Sequence, residues 1–563
     1  MTGLAARLKT APPWVRWLLL LSGAVLMGVC IQFPALGVLQ WVALLPSAPI
    51  ILMLATDPQV RLRRMYGYGF CFFGCFYLTN FHWFLYMYPL SFAGLSNAAS
   101  AVVIAAAWFG LSALQTLAAA ATFPLFALAV RGRFLSDRPI LHPILFAVFW
   151  TVREWIQANM GWAGVPWARL SLGQVGLRLT VQSVGLRLTV QSAAYLGSYF
   201  ITFLLVAVSM LLGFLLLYPD RARLCGILAA SLVCGNLALG GIRLLTLPQD
   251  GETLSAAAAQ GNLSSLEKWS PGSGETALER YESLTREAAA EGATLIVWPE
   301  TALTVTIDQS PGTRARISQL AVETGATLLV GAFTSGEDAR DQYNSVLAFL
   351  PNGEVSDTVY NKQKPVPFGE FVPFRELVML LIPPLAEVGM LDRDLLVGEE
   401  SVVFDLPTGR IGALICFDSI YESTALDSVR GGAQLLTVST NDSWFQDSRG
   451  VWMHNAQSSL RAIETGRYVV RAGNTGVSSI IDPTGKVKEK LNPLLTGKLT
   501  GEVALRDETT LYVRTGNLFA WVCAAVATAT VLSALYTEGA RRRSARRNVH
   551  ISDDSVKNSE NTP

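Results

Sequence analysis

Apolar residues in this chain fall into two blocks, separated by a long stretch of mixed pattern. Before residue 245, apolar runs lie near 15–33, 36–55, 66–87, 98–129, 140–158, 193–217 and 224–244, and an eighth lies near 516–536. Each is long enough for a helix across the roughly 30 Å hydrocarbon layer of a bilayer. The fourth exceeds one crossing, and Pro124 sits where it would break. Between 245 and 515 the pattern changes. Short strand-like runs occur at 254–260, 294–298, 326–333, 343–350, 402–406, 410–415, 434–440, 467–472 and 476–482. Helical periodicity fills several gaps, as in TALERYESLTREAAAE at 276–291. Alternating strands and helices predict an α/β domain. The chain therefore reads as a seven-helix membrane domain (1–244), a polar α/β domain (245–515), an eighth membrane helix (516–536) and a basic tail (537–563) expected to be disordered.

Composition agrees with this division. The chain is 51% hydrophobic and 15% charged, against about a quarter charged in soluble domains. A net charge of +1, with no basic run in the polar domain, gives no footprint for nucleic acid. Arg7, Lys9 and Arg16 before WLLLLSGAVLMGVC would suit a secretory signal, but further apolar runs follow at once, so this segment reads as a first anchor.

The basic residues then orient the chain. Arg61, Arg63 and Arg64, Arg131, Arg133 and Arg138, Arg221 and Arg223, and RRRSARR at 541–547 all fall on the side of the amino terminus, while the loops after the first and third runs contain no Lys or Arg. Positive loops stay in the cytoplasm, so both termini are expected there and 245–515 is expected outside. One loop breaks the pattern. Residues 159–192 carry Arg169, Arg178 and Arg187, and they contain VGLRLTVQS at 175–183 and again at 184–192, a duplication with no evident function.

Cys416, in ICFDSIY, is the single cysteine of the polar stretch; Cys30, Cys71, Cys75, Cys225, Cys234 and Cys523 lie in apolar runs. In an exported, oxidising compartment structural cysteines come in pairs. A lone thiol is then either a small buried hydrophobe or a nucleophile. Its place between a strand-like run and a helix-like start favours the nucleophile, because a helix amino terminus stabilises thiolate. Two residues can serve as its base. One is His454 in WMHNAQ; the other is Glu300, after Pro299 at the carboxyl end of a buried strand, where burial would raise its pKa. Lys362 and Lys364 are the candidate cations, and spacing does not choose between them.

WPET, YNK…PVPFGEFVPF and ICFDSIY, in that order, resemble the Glu-Lys-Cys triad of the nitrilase superfamily. With AAQGNLSSLEKW at 258–269, STNDSWF at 439–445 and YVRTGN at 512–517, nearly the whole chain resembles the apolipoprotein N-acyltransferases. In that family a nitrilase-like domain is inserted between the seventh and eighth spans. The resemblance implies a two-sheet αββα sandwich, with Glu300 as general base, Lys362 as oxyanion stabiliser and Cys416 as nucleophile. It implies a supporting role for Glu370 and places Trp269 on a mobile arm over the site. Phe417 and Asp418 stand where the family commonly has Tyr-Glu, which puts any role of that pair in oxyanion contact or amine handling in doubt.

The activity implied is acyl transfer from a membrane phospholipid to the amino-terminal amine of a diacylglyceryl apolipoprotein. It would run through a Cys416 thioester without metal or cofactor, in a monomeric enzyme of the bacterial plasma (inner) membrane. The apolar loop LVMLLIPPLAEVGML at 377–391 would shield the thioester or pack in the core. Arg153 and Glu154, in the fifth apolar run, would bind a headgroup or lock helices together. An amidase would share the triad, and a transporter would use intramembrane charges. The exported domain has no G-x-S-x-G for a serine hydrolase and no H-E-x-x-H for a zinc enzyme.

Overall fold

The computed structural model describes residues 3–90, 95–175, 188–268, 270, 272–338, 340–381 and 394–559. The amino-terminal region is helical. Among the described residues, five helices are long and apolar enough to cross a membrane by length and composition: Pro13–Gln32, Asn97–Arg131, Ser198–Leu217, Pro219–Leu245 and Leu518–Ala540. The other three expected spans take different forms. Over 36–55 a 3-10 helix, Pro34–Trp41, and a shorter α-helix, Ala48–Thr56, replace one continuous helix. Pro46 and Pro49 remove backbone donors that a continuous helix would need. Helix Leu62–Asn80 gives way to the 3-10 helix His82–Met87, and His142–Ala158 is 17 residues long.

Arg153 and Glu154 are buried in that last helix and tie the bundle together. Arg153 Nη1 donates to Tyr77 Oη at 2.5 Å and to Gln157 Oε1 at 3.2 Å, and its guanidinium lies 4.9 Å from the Trp150 ring centre. Glu154 accepts from Thr202 Oγ1 at 2.7 Å and from the Leu170 N–H at 3.3 Å. Of the two expected roles, these contacts match the helix lock: intramembrane charge is costly unless partnered, and each group here has partners on other elements.

The polar domain is built from two six-stranded sheets. The first holds β1 (Thr253–Gln260), β2 (Leu295–Val297), β3 (Thr327–Ser335), β4 (Gln342–Phe349), β5 (Val355–Asn361) and β12 (Gly497–Ala504), in the order β12-β1-β2-β3-β4-β5. The second holds β6 (Val403–Leu406), β7 (Gly409–Ile415), β8 (Leu435–Thr440), β9 (Val469–Gly473), β10 (Ser478–Ile481) and β11 (Val487–Leu491), in the order β11-β10-β9-β8-β7-β6.

The period-two pattern of each strand explains the layers. Ala256 and Ala258, Leu295 and Val297 point to the opposing sheet, where they meet Ile411, Ala413, Ile415 and Val470. Ala257, Ala259 and Ile296 point the other way, to Leu278, Tyr281 and Ile317 on helices Ser273–Ala290 and Pro311–Thr324. Leu414 and Val438 likewise face Ala425 and Ala462 on helices Glu422–Arg430 and Arg449–Thr465. This is the αββα sandwich that the resemblance implied.

Of the tail expected to be disordered, residues 537–559 are described, and they continue the last helix. The last helix runs from Leu518 to Ser559. Between Gly539 and that end the sequence has neither Gly nor Pro and is rich in Arg and Ser, so no residue there breaks helical hydrogen bonding.

Candidate active site

Three strand ends of the sandwich deliver the candidate residues to one place. β2 ends at Val297, and Trp298 and Pro299 carry the chain to Glu300. Trp298 is buried, and its indole N–H donates to Thr285 Oγ1 at 2.9 Å. The turn runs so close to β3 that a Cβ on Gly331 would sit 2.2 Å from the Pro299 carbonyl oxygen. Lys362 follows β5, its N–H donating to the Asn344 carbonyl at 2.9 Å. Cys416 follows β7 at φ +48°, the left-handed region that side chains other than glycine seldom adopt.

Lys362 Nζ lies between two carboxylates, 2.7 Å from Glu300 Oε1 and 2.7 Å from Glu370 Oε2. Asn344 Nδ2 donates to Glu300 Oε1 and to Glu370 Oε1, each at 2.8 Å. Backbone N–H groups complete the set: Asn441 donates to Glu300 Oε2 at 2.9 Å, and Val366 to Glu370 Oε2 at 2.8 Å. Glu300, Lys362 and Cys416 are 6%, 2% and 8% exposed, so their charges act on one another with little screening by water.

The electrostatics correct two expectations. Burial does disfavour the Glu300 anion, but Lys362, then Lys268 and the Asn344 amide, outweigh it and hold the carboxyl below its ordinary value. The Cys416 thiol moves the other way. Burial and then the Glu300 carboxylate push it well above its ordinary value, with Lys362 opposing. No long helix starts at the thiol, because Cys416–Ile420 is a 3-10 turn of 5 residues. Burial opposes the Lys362 charge as well, yet Glu300 and Glu370 prevail and raise the ammonium well above its usual range. The resting site is thus a neutral thiol beside a carboxylate and an ammonium. Such a set can attack a carbonyl, accept the thiol proton and neutralise the developing oxyanion.

Two family models match the chain: the apolipoprotein N-acyltransferase N-terminal domain over residues 22–211, and carbon-nitrogen hydrolase over 255–511. The Geobacter metallireducens apolipoprotein N-acyltransferase is 32% identical over 411 residues, 71% of this chain and 75% of that protein. The Pseudomonas syringae pv. tomato protein of the same name is 31% identical over 469 residues, 81% of this chain and 85% of its own. The chain belongs to the apolipoprotein N-acyltransferase family. Among solved structures, Saccharomyces cerevisiae Nit3, a member of the nitrilase superfamily, overlays 45% of this chain and 91% of its own, with a TM-score of 0.36 and 20% identity.

Phe417 and Asp418 have separate surroundings in this N-acyltransferase. Asp418 accepts from Tyr360 Oη at 2.8 Å and from the N–H groups of Ile415 at 3.1 Å, Gln363 at 3.2 Å and Lys364 at 2.8 Å. It therefore ties the thiol's turn to the segment that carries Lys362; burial pushes its carboxyl up to about 6. Phe417 packs edge-on to Tyr421 and helps line a cavity of about 360 Å³ with Asn159, Trp162, Lys364 and Phe371. That cavity lies between the end of helix His142–Ala158 and the sandwich. Lys364 is not at the carboxylates; its Nζ lies 5.8 Å from the Tyr421 ring centre.

Two further N-acyltransferase residues escaped the sequence reading. Asn344 bridges both glutamates, and nothing in QYNSV marks it. Lys268 is buried under the site, donating to Thr301 Oγ1 at 2.5 Å and to the Glu300 carbonyl at 3.2 Å, and burial pushes it down to about 8. Lys268 stands beside Trp269 in AAQGNLSSLEKW, and a lysine there reads in sequence as an ordinary solvated side chain. Trp269, residues 382–391 of the apolar loop and residues 176–187 of the duplication lie outside the described residues.

Proposed function

We propose that this enzyme moves a fatty acyl chain from a membrane phospholipid to the α-amine of the diacylglyceryl-modified first cysteine of apolipoproteins, by a ping-pong reaction through Cys416. The placement of Lys362, 2.7 Å from each of Glu300 and Glu370 and beside the buried thiol, carries this reading.

In the first half-reaction Sγ attacks the ester carbonyl while Glu300 accepts the thiol proton. Moving a proton from a raised thiol to a lowered carboxyl is uphill in the resting site. It becomes feasible as negative charge leaves sulfur for the carbonyl oxygen, where Lys362 offsets it. Proton transfer and attack are therefore coupled. When the tetrahedral intermediate collapses, the C–O bond to the lysophospholipid breaks, and its oxygen takes the proton back from Glu300. In the second half-reaction the lipoprotein amine attacks the thioester. An α-amine has a pKa near 8, so a useful fraction is neutral. Glu300 accepts its surplus proton and returns it to the departing sulfur, leaving an amide and a free thiol. Glu370 and Asn344 hold Lys362 and Glu300 through both halves.

Eight crossings with cytoplasmic termini and an exported catalytic domain complete the proposal. The burial of Arg169 supports it, since this guanidinium is paired with Glu422 at 2.7 Å and is not a free positive charge in an exported loop.

The test is the intact mass of purified enzyme incubated with phospholipid and no acceptor, beside Cys416→Ala. An acyl adduct on the wild type alone, discharged by a diacylglyceryl lipopeptide with a free amino terminus, is expected. Discharge by water at the same rate, or an adduct that survives Cys416→Ala, would overturn the reading.

A further inference from the structure

The nucleophile's left-handed backbone persists only where its surroundings hold it. At Cys416 the holding contacts fall on the carbonyl oxygen. Ser419 Oγ donates to it at 2.7 Å from within the same turn. The second contact is long-range: His454 Nε2, on helix Arg449–Thr465, lies 3.1 Å from that oxygen. A carbonyl oxygen only accepts, so the ring nitrogen that bonds it must donate.

His454 is 1% exposed and firmly set. Its Nδ1 lies 2.7 Å from Asp442 Oδ1, which also accepts from Thr440 Oγ1 at 3.1 Å; Asp442 Oδ2 accepts from Arg471 Nη2 at 2.9 Å. The carboxylate is enclosed, since a Cβ on Gly476 would meet Asp442 Oδ2 at 2.1 Å. The Trp167 ring packs over the imidazole at 5.4 Å between centres. The Cys416 thiol, the Asp442 carboxylate and the His454 ring each place an atom within 4.8 Å of the others. Both ring nitrogens are nevertheless engaged with oxygen, so neither is turned to the thiol as a base or to a metal. The residue before Asp442 completes the link: the Asn441 N–H is the donor to Glu300 Oε2.

We propose that Asp442 and His454 form a positioning pair for acyl transfer. His454 holds the Cys416 peptide in its left-handed turn from outside the turn. The Asn441-Asp442 dipeptide sets the distance between base and nucleophile, because one of its residues grips Glu300 and the other grips His454. Neither side chain touches substrate. Their loss therefore lowers the rate of acylation and leaves phospholipid KM unchanged.

This inference rests on Cys416 being the acylated residue, so wild type and Cys416→Ala are run first; no adduct on the wild type would defeat that reading and not this one. The test compares His454→Gln with His454→Asn in the full-length enzyme, by single-turnover acyl-enzyme formation across phospholipid concentrations, with melting temperatures alongside. A glutamine amide reaches the place of Nε2 and can still donate to the Cys416 carbonyl; an asparagine amide reaches only the place of Nδ1. His454→Asn is expected to acylate about 10- to 100-fold more slowly, with His454→Gln recovering much of the rate and KM unchanged in both. Equal losses in the two variants, a changed KM, or wild-type rates would overturn the proposal. If neither variant folds, Asp442→Asn decides: slowed acylation at unchanged KM supports the pair, and a wild-type rate overturns it.

Discussion

A thiol raised by burial and by a neighbouring carboxylate is a weak nucleophile until a carbonyl arrives, and this fixes how Cys416 answers a small alkylating agent. Iodoacetamide labelling of Cys416, followed by peptide mass, is expected to be slow at pH 7 and still rising above pH 9, since the ordinary value of 9.0 is exceeded. Glu300→Gln removes a raising charge, so labelling at a given pH becomes faster while acyl transfer is lost. Faster transfer, or slower labelling, would contradict the coupled proton step. Glu300 itself is depressed from 4.5. Its contribution to stability is therefore fully present above pH 4.5 and is lost as pH falls through its lower folded value. Above pH 4.5 the acylation rate should show no acid limb from this group.

At the same scale the sequence was readable where chemistry-bearing residues sit in short motifs. Glu300, Lys362, Cys416 and Glu370 were each named from such stretches, and the structure brings all four together. The sequence points to a raised Glu300 because burial is visible locally, whereas the deciding ammonium is 62 residues away. His454 reads in sequence as a candidate base; its ring instead faces a backbone carbonyl, a distinction that no spacing encodes.

Among the elements, nine strands were legible as apolar runs, and β5, β11 and β12 were missed. β5 and β11 are edge strands, and VSDTVYN and VKEKL are only partly buried, so neither forms an apolar run. β12, GKLTGEVA, is likewise an edge strand whose two glycines interrupt the signal. The miss at β5 matters because that strand delivers Lys362. The approach of β3 to the turn bearing Glu300 gives a sharper test. Gly331→Ala would place a methyl 2.2 Å from a backbone oxygen that cannot rotate away. Stability should fall by about 1–3 kcal/mol in denaturant unfolding, and acylation should slow because Glu300 moves with the turn. Unchanged values for both would show that the strand yields without cost.

At the scale of the molecule, the helical region and the sandwich are joined by buried charge. Arg169 donates to Glu422 at 2.7 Å and to Ser198 Oγ at 2.8 Å, Tyr199 Oη donates to Glu422 at 2.8 Å, and the Ser198 N–H donates to Glu464 Oε1 at 3.1 Å. Arg169 is one of the three arginines that strain the charge rule in sequence, and its partner lies 253 residues on, beyond any local pattern. Arg169→Met takes the nearest cation from a buried carboxylate, leaving only Arg461 at 3.9 Å, and should cost about 3 kcal/mol in detergent unfolding, whereas Arg169→Met with Glu422→Leu should cost less. Burial opposes the Glu422 charge, but Arg169 and Arg461 hold it down at about 2. Its contribution is therefore complete above pH 4.5 and vanishes only as pH falls toward 2.

The first and last strands of the sandwich lie side by side. Thr253 pairs with Ala504 and Gln260 with Gly497, and beyond the strands Leu505 N–H donates to the Glu252 carbonyl at 2.9 Å while Arg506 pairs with Asp250 at 2.6 Å. A body strapped to its helices along one edge by both ends of its chain stays at the membrane that holds those helices. Donor and acceptor must come to it by lateral diffusion, so the variable that governs turnover is their surface density, not their bulk concentration. Diluting both with inert lipid at fixed total amounts should slow the enzyme, and crowding the surface with either one should make it compete with the other for the same nucleophile.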